Sequence, residues 1–304
     1  MELNFEEILQ KAKDLVLKAG EKVKEAFESR EIINSSTEDK DSNPTDLVTA
    51  VDKGVEKYIF SSLKELFPSF ELIGEETVGA SESKKVNLTD TPTWVVDPVD
   101  GTTNFVHGFP FVCICVGLVV KKDPVLGIVY NPVLNEMYTG IKGKGSFMNG
   151  KKLPLIKNTP LKSLQKSLFV TEYGYFLGPE KVDIKVGNAK SMLYIPAHGV
   201  RSLGSCALDM CQVARGGADF YFEIGVHTWD VAAATVIVRE SGGVVVGYKR
   251  PNGIDSKIQI ADEPYDLNGR KVLCMRGVIE GKEYQSKMLG EVREKLKDFE
   301  IESD

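Results

Sequence analysis

Two acids three residues apart, Asp97 and Asp100, close a short apolar run and precede Gly101-Thr102-Thr103. The run Trp94-Val95-Val96 reads as a strand, and Pro98 stiffens the turn by fixing its own φ. Gly101-Thr102-Thr103-Asn104-Phe105 then reads as the first turn of a helix. Carboxylates at such a junction can hold a hard divalent cation, and the free N–H groups of a helix start can receive phosphate oxygens. A plainer account makes Asp97 a helix cap and Asp100 a turn former. For a lone Asp-x-x-Asp-Gly the plainer account is preferred, because such strings are common in loops.

Three other segments shift that balance. Gly74-Glu75-Glu76 follows the strand-like Phe70-Glu71-Leu72-Ile73, Asp230 opens a small-residue helix in Trp229-Asp230-Val231-Ala232-Ala233-Ala234, and Asp52 ends Asp46-Leu47-Val48-Thr49-Ala50-Val51-Asp52. Each acid has a structural reading too, as a solvated surface pair or a helix cap. Yet all four segments put acids at element ends rather than mid-face, where they could converge on a cluster that only metal ions would neutralise. No Gly-x-Ser-x-Gly elbow or His-Glu-x-x-His zinc motif offers a competing chemistry. Of the three histidines, His198 and His227 are expected to be structural hydrogen-bonders.

The elements that must position these acids follow from periodicity. Phe5, Ile8, Leu9, Ala12, Leu15, Val16, Ala19, Val23, Ala26 and Phe27 recur at helical intervals against a charged face. Ile33 to Asp46 is polar and reads as a mobile loop, and a second helix runs from about Val51 to Phe67, stopped by Pro68. Strand candidates follow at Phe70–Ile73, Thr93–Val96, Phe111–Val120, Val125–Tyr130 and Glu136–Ile141, which suggest a largely antiparallel sheet. From about Ser163 strands at Leu168–Val170, Phe220–Phe222 and Val244–Val246 alternate with helices at Ser205–Ala214 and Asp230–Glu240, an α/β layout. The stretch from Tyr284 to Phe299 reads as an exposed terminal helix. The expected division is an N-terminal α+β unit, residues 1–180, with most of the acids, and a C-terminal α/β unit, residues 181–304, with Asp230 and substrate contacts.

Bulk properties exclude other classes. The 304 residues carry a net charge of -6 with no basic stripe, which argues against nucleic acid and membrane surfaces as partners. The beginning of the chain lacks a basic n-region with an apolar core, and the longest apolar run, Phe111 to Val120, is too short to span a bilayer. Five cysteines without a Cys-x-x-Cys pair are expected to be free, buried thiols of a reducing, cytoplasmic compartment.

Trp94 to Phe105 resembles the signature of the inositol monophosphatase family, and Trp229-Asp230-Val231-Ala232-Ala233 resembles its downstream motif. The order of Asp46–Asp52, Gly74-Glu75-Glu76 and Arg201-Ser202-Leu203-Gly204-Ser205 matches as well, so the similarity spans roughly residues 5 to 275. The resemblance implies the layered αβαβα sandwich of the sugar phosphatases and hydrolysis of inositol monophosphates by a metal-activated water, with two to three Mg2+ per site. Glu75, Asp97 and the Val99 carbonyl would hold the first magnesium; Asp97, Asp100 and Asp230 the second; Glu75 would help hold a third through water. The N–H groups of Gly101 and Thr102, beside Thr103, would cradle the phosphate, and Thr102 paired with Asp52 would orient the water. Glu223 would bind a substrate hydroxyl, in a pocket lined by Gly204, Ser205 and Cys206. Lithium inhibition, a homodimer and a small phosphorylated polyol as partner are implied in the same way.

The match loosens at Tyr173, Tyr175 and Phe176, where smaller residues are usual in the family, and at Cys206. The aromatics are expected to pack against the sheet, although Tyr175 could instead reshape the hydroxyl side of the pocket. Other phosphatases of the superfamily act on hexose phosphates, fructose 1,6-bisphosphate, 3'-phosphoadenosine nucleotides or histidinol phosphate. A metal- and phosphate-binding scaffold without activity is the non-catalytic alternative.

Overall fold

A computed structural model describes residues 3–29, 38–40, 43–81, 86–156, 160–174 and 178–301. Helix α1, Phe5–Glu28, is opened by Asn4, whose side chain accepts from the Glu7 N–H at 3.2 Å. It buries Ile8, Ala12, Leu15, Val16, Ala19 and Val23 on the face that periodicity marks out. Two short strands, β1 (Glu38–Lys40) and β2 (Asn43–Val48), pair antiparallel with Glu38 opposite Val48. That corrects the loop expected over Ile33–Asp46, whose remaining residues lie outside the described ones. Helix α2, Ala50–Leu66, starts on a capping box between Thr49 and Asp52.

Among the described residues the larger sheet has seven strands in the order β3 (Glu71–Gly74), β4 (Thr93–Asp100), β5 (Cys113–Val120), β6 (Asp123–Asn131), β7 (Glu136–Ile141), β8 (Gly145–Met148) and β9 (Lys151–Lys152). It is antiparallel apart from the parallel pair β3 and β4. Between these two lies α3 (Glu75–Gly79), and beyond β4 lies α4 (Thr102–His107). The second sheet has the order β11 (Gly199–Arg201), β10 (Leu168–Thr171), β12 (Phe220–Ile224), β14 (Lys271–Met275), β13 (Val244–Val246). Its β11–β10–β12 pairs are parallel and its other pairs antiparallel. Among the described residues the remaining α-helices are α5 (Pro179–Tyr194), α6 (Cys206–Arg215), α7 (Thr228–Glu240) and α8 (Lys282–Arg293).

Side-chain alternation along β4 sets the layers. Trp94 and Val96 pack with α1 and α2 on one face, whereas Val95 packs with α6 and α7 on the other. The far side of α6 and α7 meets Tyr221, Val245 and Cys274 of the second sheet. The outer face of that sheet, with Phe169, Phe220 and Phe222, is covered by Met192 of α5 and by Met288, Leu289 and Val292 of α8. Helix, sheet, helix, sheet, helix is the expected order. The exposed tail helix is a misreading: α8 is shorter, and Gln285, Met288, Leu289 and Val292 are buried.

Helix α7 lies unusually close to the larger sheet, and three glycines permit it. Gly117, Gly127 and Gly140 are directly paired across β5, β6 and β7 and form a side-chain-free row. A Cβ at Gly127 would stand 2.1 Å from the Ala233 carbonyl oxygen, and one at Gly117 3.1 Å from the Ala232 Cβ. The small residues after Asp230 therefore let the helix sit in this groove, which sets the depth at which Asp230 is delivered.

Candidate active site

Four element ends meet at a cavity of about 320 Å³. The C-terminal end of β4 supplies Asp97, Val99 and Asp100; the start of α4 supplies Gly101 to Asn104; α3 supplies Glu75; the start of α7 supplies Asp230. The opposite wall comes from Glu172, Tyr173 and Gly174 after β10, Gly204 to Cys206 before and at the start of α6, and Glu223 on β12. Asp52 is not part of that lining; it lies behind Thr102. No lysine, arginine or histidine lines the cavity among the described residues.

Asp97, Asp100 and Asp230 are each buried and each held through one oxygen. Asp97 Oδ1 accepts the Val99 N–H at 2.9 Å. Asp100 Oδ2 accepts the Ser205 hydroxyl at 2.6 Å and the Ala207 N–H at 2.8 Å. Asp230 Oδ2 accepts the His227 N–H at 2.7 Å, the bond of an N-terminal cap. The second oxygen of each accepts no hydrogen bond among the described residues. Burial first, then the mutual repulsion of Glu75, Asp97, Asp100 and Asp230, holds Asp97 and Asp230 well above the carboxylate range. Burial raises Asp100 to about 6, against the opposing hydrogen bonds from Ser205 and Ala207. Buried anions with no cationic side chain beside them are unstable unless a cation joins them. Oxygen donors of this kind suit a hard divalent ion such as magnesium.

The backbone around the acids is equally constrained. Gly101 has φ +91°, and a Cβ there would lie 3.0 Å from both the Gly204 and Phe111 carbonyl oxygens. Helix α4 begins at this glycine with no capping side chain, so its first N–H groups are open. Asn104 Nδ2 ties the start of α4 to the facing loop by donating to the Phe111 and Leu203 carbonyls at 2.9 and 2.7 Å. The Thr102 hydroxyl lies 3.2 Å from Asp52 Oδ1 and 3.0 Å from the Val99 carbonyl oxygen. Asp52 is fully buried and anchored on the N–H of Thr49 at 2.9 Å.

Two cysteines sit under the acids, Cys115 opposite Asp97 and Cys113 opposite Asp100 in the β4–β5 ladder. Asp100, Cys113 and Cys115 bring one donor atom each to within 4.8 Å of one another. Burial pushes both thiols up, so they pack beneath the carboxylate as neutral groups. All five cysteines are free and buried.

Sequence reading missed several residues that hold the site. Glu56, one turn after Asp52 on α2, accepts the N–H groups of Glu76 and Thr77, each at 2.9 Å, and the Thr77 hydroxyl at 2.5 Å, and so fixes the start of α3 beside Glu75. The four-residue spacing from Asp52 was its only signal. Glu172 accepts the N–H groups of Leu203 at 2.5 Å and Gly204 at 2.9 Å and the Ser202 hydroxyl at 2.7 Å, which shapes the loop before α6. Its place just after β10, at a strand end facing a cleft, could have identified it. Tyr173 is 41% exposed at the cavity rim rather than packed on a sheet; Tyr175 and Phe176 lie outside the described residues. Burial lifts Glu223 to about 7, and its Oε2 accepts the Tyr221 hydroxyl.

Comparison with known proteins identifies the family and the fold. Residues 4–297 match the model of the inositol monophosphatase family. The chain is 46% identical over 270 residues to inositol monophosphatase 1 of Bos taurus, covering 89% of this chain and 90% of that one. Identity to the Homo sapiens protein of the same name is 45% with the same coverage. Among solved structures, an inositol monophosphatase from Anabaena (Nostoc) sp. PCC 7120 superposes with a TM-score of 0.70 at 28% identity, covering 95% of this chain and 97% of that one. An IMPase from Thermotoga maritima gives 0.73 at 26% identity, covering 95% and 98%. With its layers, its acidic cleft and these relatives in agreement, the chain belongs to the inositol monophosphatase family.

Proposed function

We propose that this protein is a magnesium-dependent phosphoric monoester hydrolase that converts inositol monophosphates to myo-inositol and inorganic phosphate. One observation carries the reading: three buried aspartates, joined by Glu75, face a cavity without a basic side chain, in a chain 46% identical to an inositol monophosphatase. Glu75, Asp97 and the Val99 carbonyl would hold one magnesium, Asp97, Asp100 and Asp230 a second, with Glu75 contributing to a third. Bound there, magnesium would screen the phosphate charge, lower the pKa of water and stabilise the departing alkoxide.

The chain's own residues then orient and exclude. The N–H groups of Gly101 and Thr102, at an uncapped helix start, receive phosphate oxygens beside Thr103. The Thr102 hydroxyl has one proton and two acceptors within reach. Were the Val99 carbonyl to serve as a metal ligand, that proton would be left to Asp52, and the hydroxyl oxygen would present its lone pairs to the attacking water. Asp52, anchored on Thr49, fixes that direction. Gly204, Ser205 and Cys206 line the alcohol side of the cavity, and Glu223 accepts a substrate hydroxyl there. The reading extends to a lithium-sensitive homodimer in the cytoplasm; five free buried thiols support a reducing compartment.

Phosphate release from inositol 1-phosphate, fructose 1,6-bisphosphate, histidinol phosphate and a 3'-phosphoadenosine nucleotide, each with magnesium, tests the substrate. Inositol 1-phosphate is expected to be turned over fastest. Faster turnover of the nucleotide would refute the choice, and no release from any ester would favour a binding scaffold.

A further inference from the structure

Behind the wall on the alcohol side of the cavity lies a buried cation that the family motifs do not include. Lys185, on α5, is only 4% exposed, and an ammonium removed from water requires acceptors and an opposite charge. Its Nζ donates to the Tyr173 carbonyl at 2.5 Å, directly under the turn that lines the cavity. Gly174, at φ +58°, makes room for it: a Cβ there would stand 2.6 Å from the Lys185 Nζ and 3.4 Å from Glu223 Oε1. The ammonium and that carboxylate oxygen therefore lie within about 6 Å of each other, close enough for strong attraction in a buried site. Glu223 Oε2 is already occupied by the Tyr221 hydroxyl, so Oε1 is the oxygen left to face the turn and the cavity.

The surrounding charges divide unevenly. Burial pushes the Glu223 carboxyl upward, Lys185 draws it downward, and Glu172 after β10 and Asp100 on β4 add to the upward push. Burial, aided by repulsion from Arg270, lowers the Lys185 ammonium below its usual range, and Glu223 and then Glu172 oppose that by attracting it. Lys185 is thus the leading basic influence on Glu223. Without it the carboxyl would take up a proton more readily, and a substrate hydroxyl would meet an O–H where it needs a lone pair.

We infer that Lys185 is a specificity-determining positioning residue: seated under the Tyr173–Gly174 turn, it holds the Glu223 carboxylate as an acceptor for a substrate ring hydroxyl, and so selects polyol phosphates over esters that offer no such hydroxyl. The inference rests on the proposed contact between Glu223 and the substrate. A site built to accept a hydroxyl discriminates strongly against analogues that lack it. The sequence supports the pairing of Gly174 with Lys185 only through the fold, since the two lie eleven positions apart on a turn and a helix.

The test compares the wild type with Lys185→Met, Lys185→Arg and Glu223→Leu on inositol 1-phosphate and on 4-nitrophenyl phosphate, at saturating magnesium. Lys185→Met is expected to raise KM for inositol 1-phosphate about tenfold, to leave kcat within about twofold, and to leave both constants for the aryl ester unchanged. Lys185→Arg should restore most of the KM. Equal effects of Lys185→Met on both substrates, or no effect on either, would overturn the assignment. Glu223→Leu, which leaves no acceptor, separates the Glu223 contact from the role of Lys185. If it leaves the preference for inositol 1-phosphate intact, the Glu223 contact itself is wrong; if it removes the preference while Lys185→Met keeps it, only the role of Lys185 fails. Should Lys185→Met not fold, Gly174→Ala, which displaces the ammonium without deleting it, must give the same substrate-selective rise in KM, and its absence overturns the proposal.

Discussion

Asp100→Asn should make the metal-free protein more stable while removing a ligand from the magnesium site proposed above. Asp100 is buried, and its carboxyl is raised from 3.8 to about 6 although Ser205 and Ala207 both donate to it. The folded-state value lies above the unfolded one, so between about pH 4 and pH 6 the folded chain keeps a proton that the unfolded chain has released. Stability therefore falls as pH rises through that window and stays lower above it. A shift of roughly two units corresponds to about 3 kcal/mol. Asparagine has the same shape, and its Oδ1 can still accept from Ser205 and Ala207, so the variant is spared the cost of ionisation. In EDTA near pH 8, Asp100→Asn should be about 3 kcal/mol more stable, or about 5 °C higher in Tm for a chain of this length. Near pH 4, where both side chains are neutral in the folded state, the two proteins should coincide. Magnesium reverses the order, because binding stabilises only the protein that retains the carboxylate. Thermal unfolding followed by circular dichroism, across pH with EDTA and with magnesium, measures all of this. A metal-free variant less stable than the wild type near pH 8, or a difference that does not change with pH, would refute the reasoning.

Other perturbations separate ligand placement, water orientation and packing. Glu56→Ala removes the acceptor for three donors at the start of α3 and should weaken magnesium binding about tenfold through Glu75, as read by calorimetric titration, with kcat partly restored at high magnesium. Thr102→Ala should lower kcat by about 10² or more with little change in magnesium affinity, measured by steady-state kinetics beside calorimetry. Gly127→Ala places a Cβ 2.1 Å from the Ala233 carbonyl oxygen and should cost about 3 kcal/mol, visible as a lower denaturation midpoint in urea.

What the sequence made legible depended on whether one segment carried its own meaning. Helices α1 and α2 and the β4–α4 junction did, because apolar spacing, Pro68 and Asp97-Pro98-Val99-Asp100-Gly101 are local signals. The small residues at Ala232 to Ala234 signalled a close approach, but the facing row of Gly117, Gly127 and Gly140 did not, since isolated glycines only weaken a strand pattern. Helix α5 escaped because its buried face includes Lys185 and Asn188, polar residues that break the apolar period. The terminal helix was recognised but placed outside the core, as its four buried side chains, Gln285 among them, are few beside its charged ones. Within the site, the acids of the motifs were readable, whereas Glu56, Glu172 and Lys185 act on backbone atoms of other elements and leave no motif. Their roles are set by packing across the cleft.

The most direct measurement of the central claim is inorganic phosphate release from inositol 1-phosphate, with and without magnesium, for the wild type and Asp97→Asn. Asp97 is the carboxylate proposed to serve two metal positions, so its neutral isostere should lose turnover by about 10³ or more while the wild type is active only with magnesium. Turnover by the wild type in EDTA, or near-full activity of Asp97→Asn with magnesium, would contradict the account.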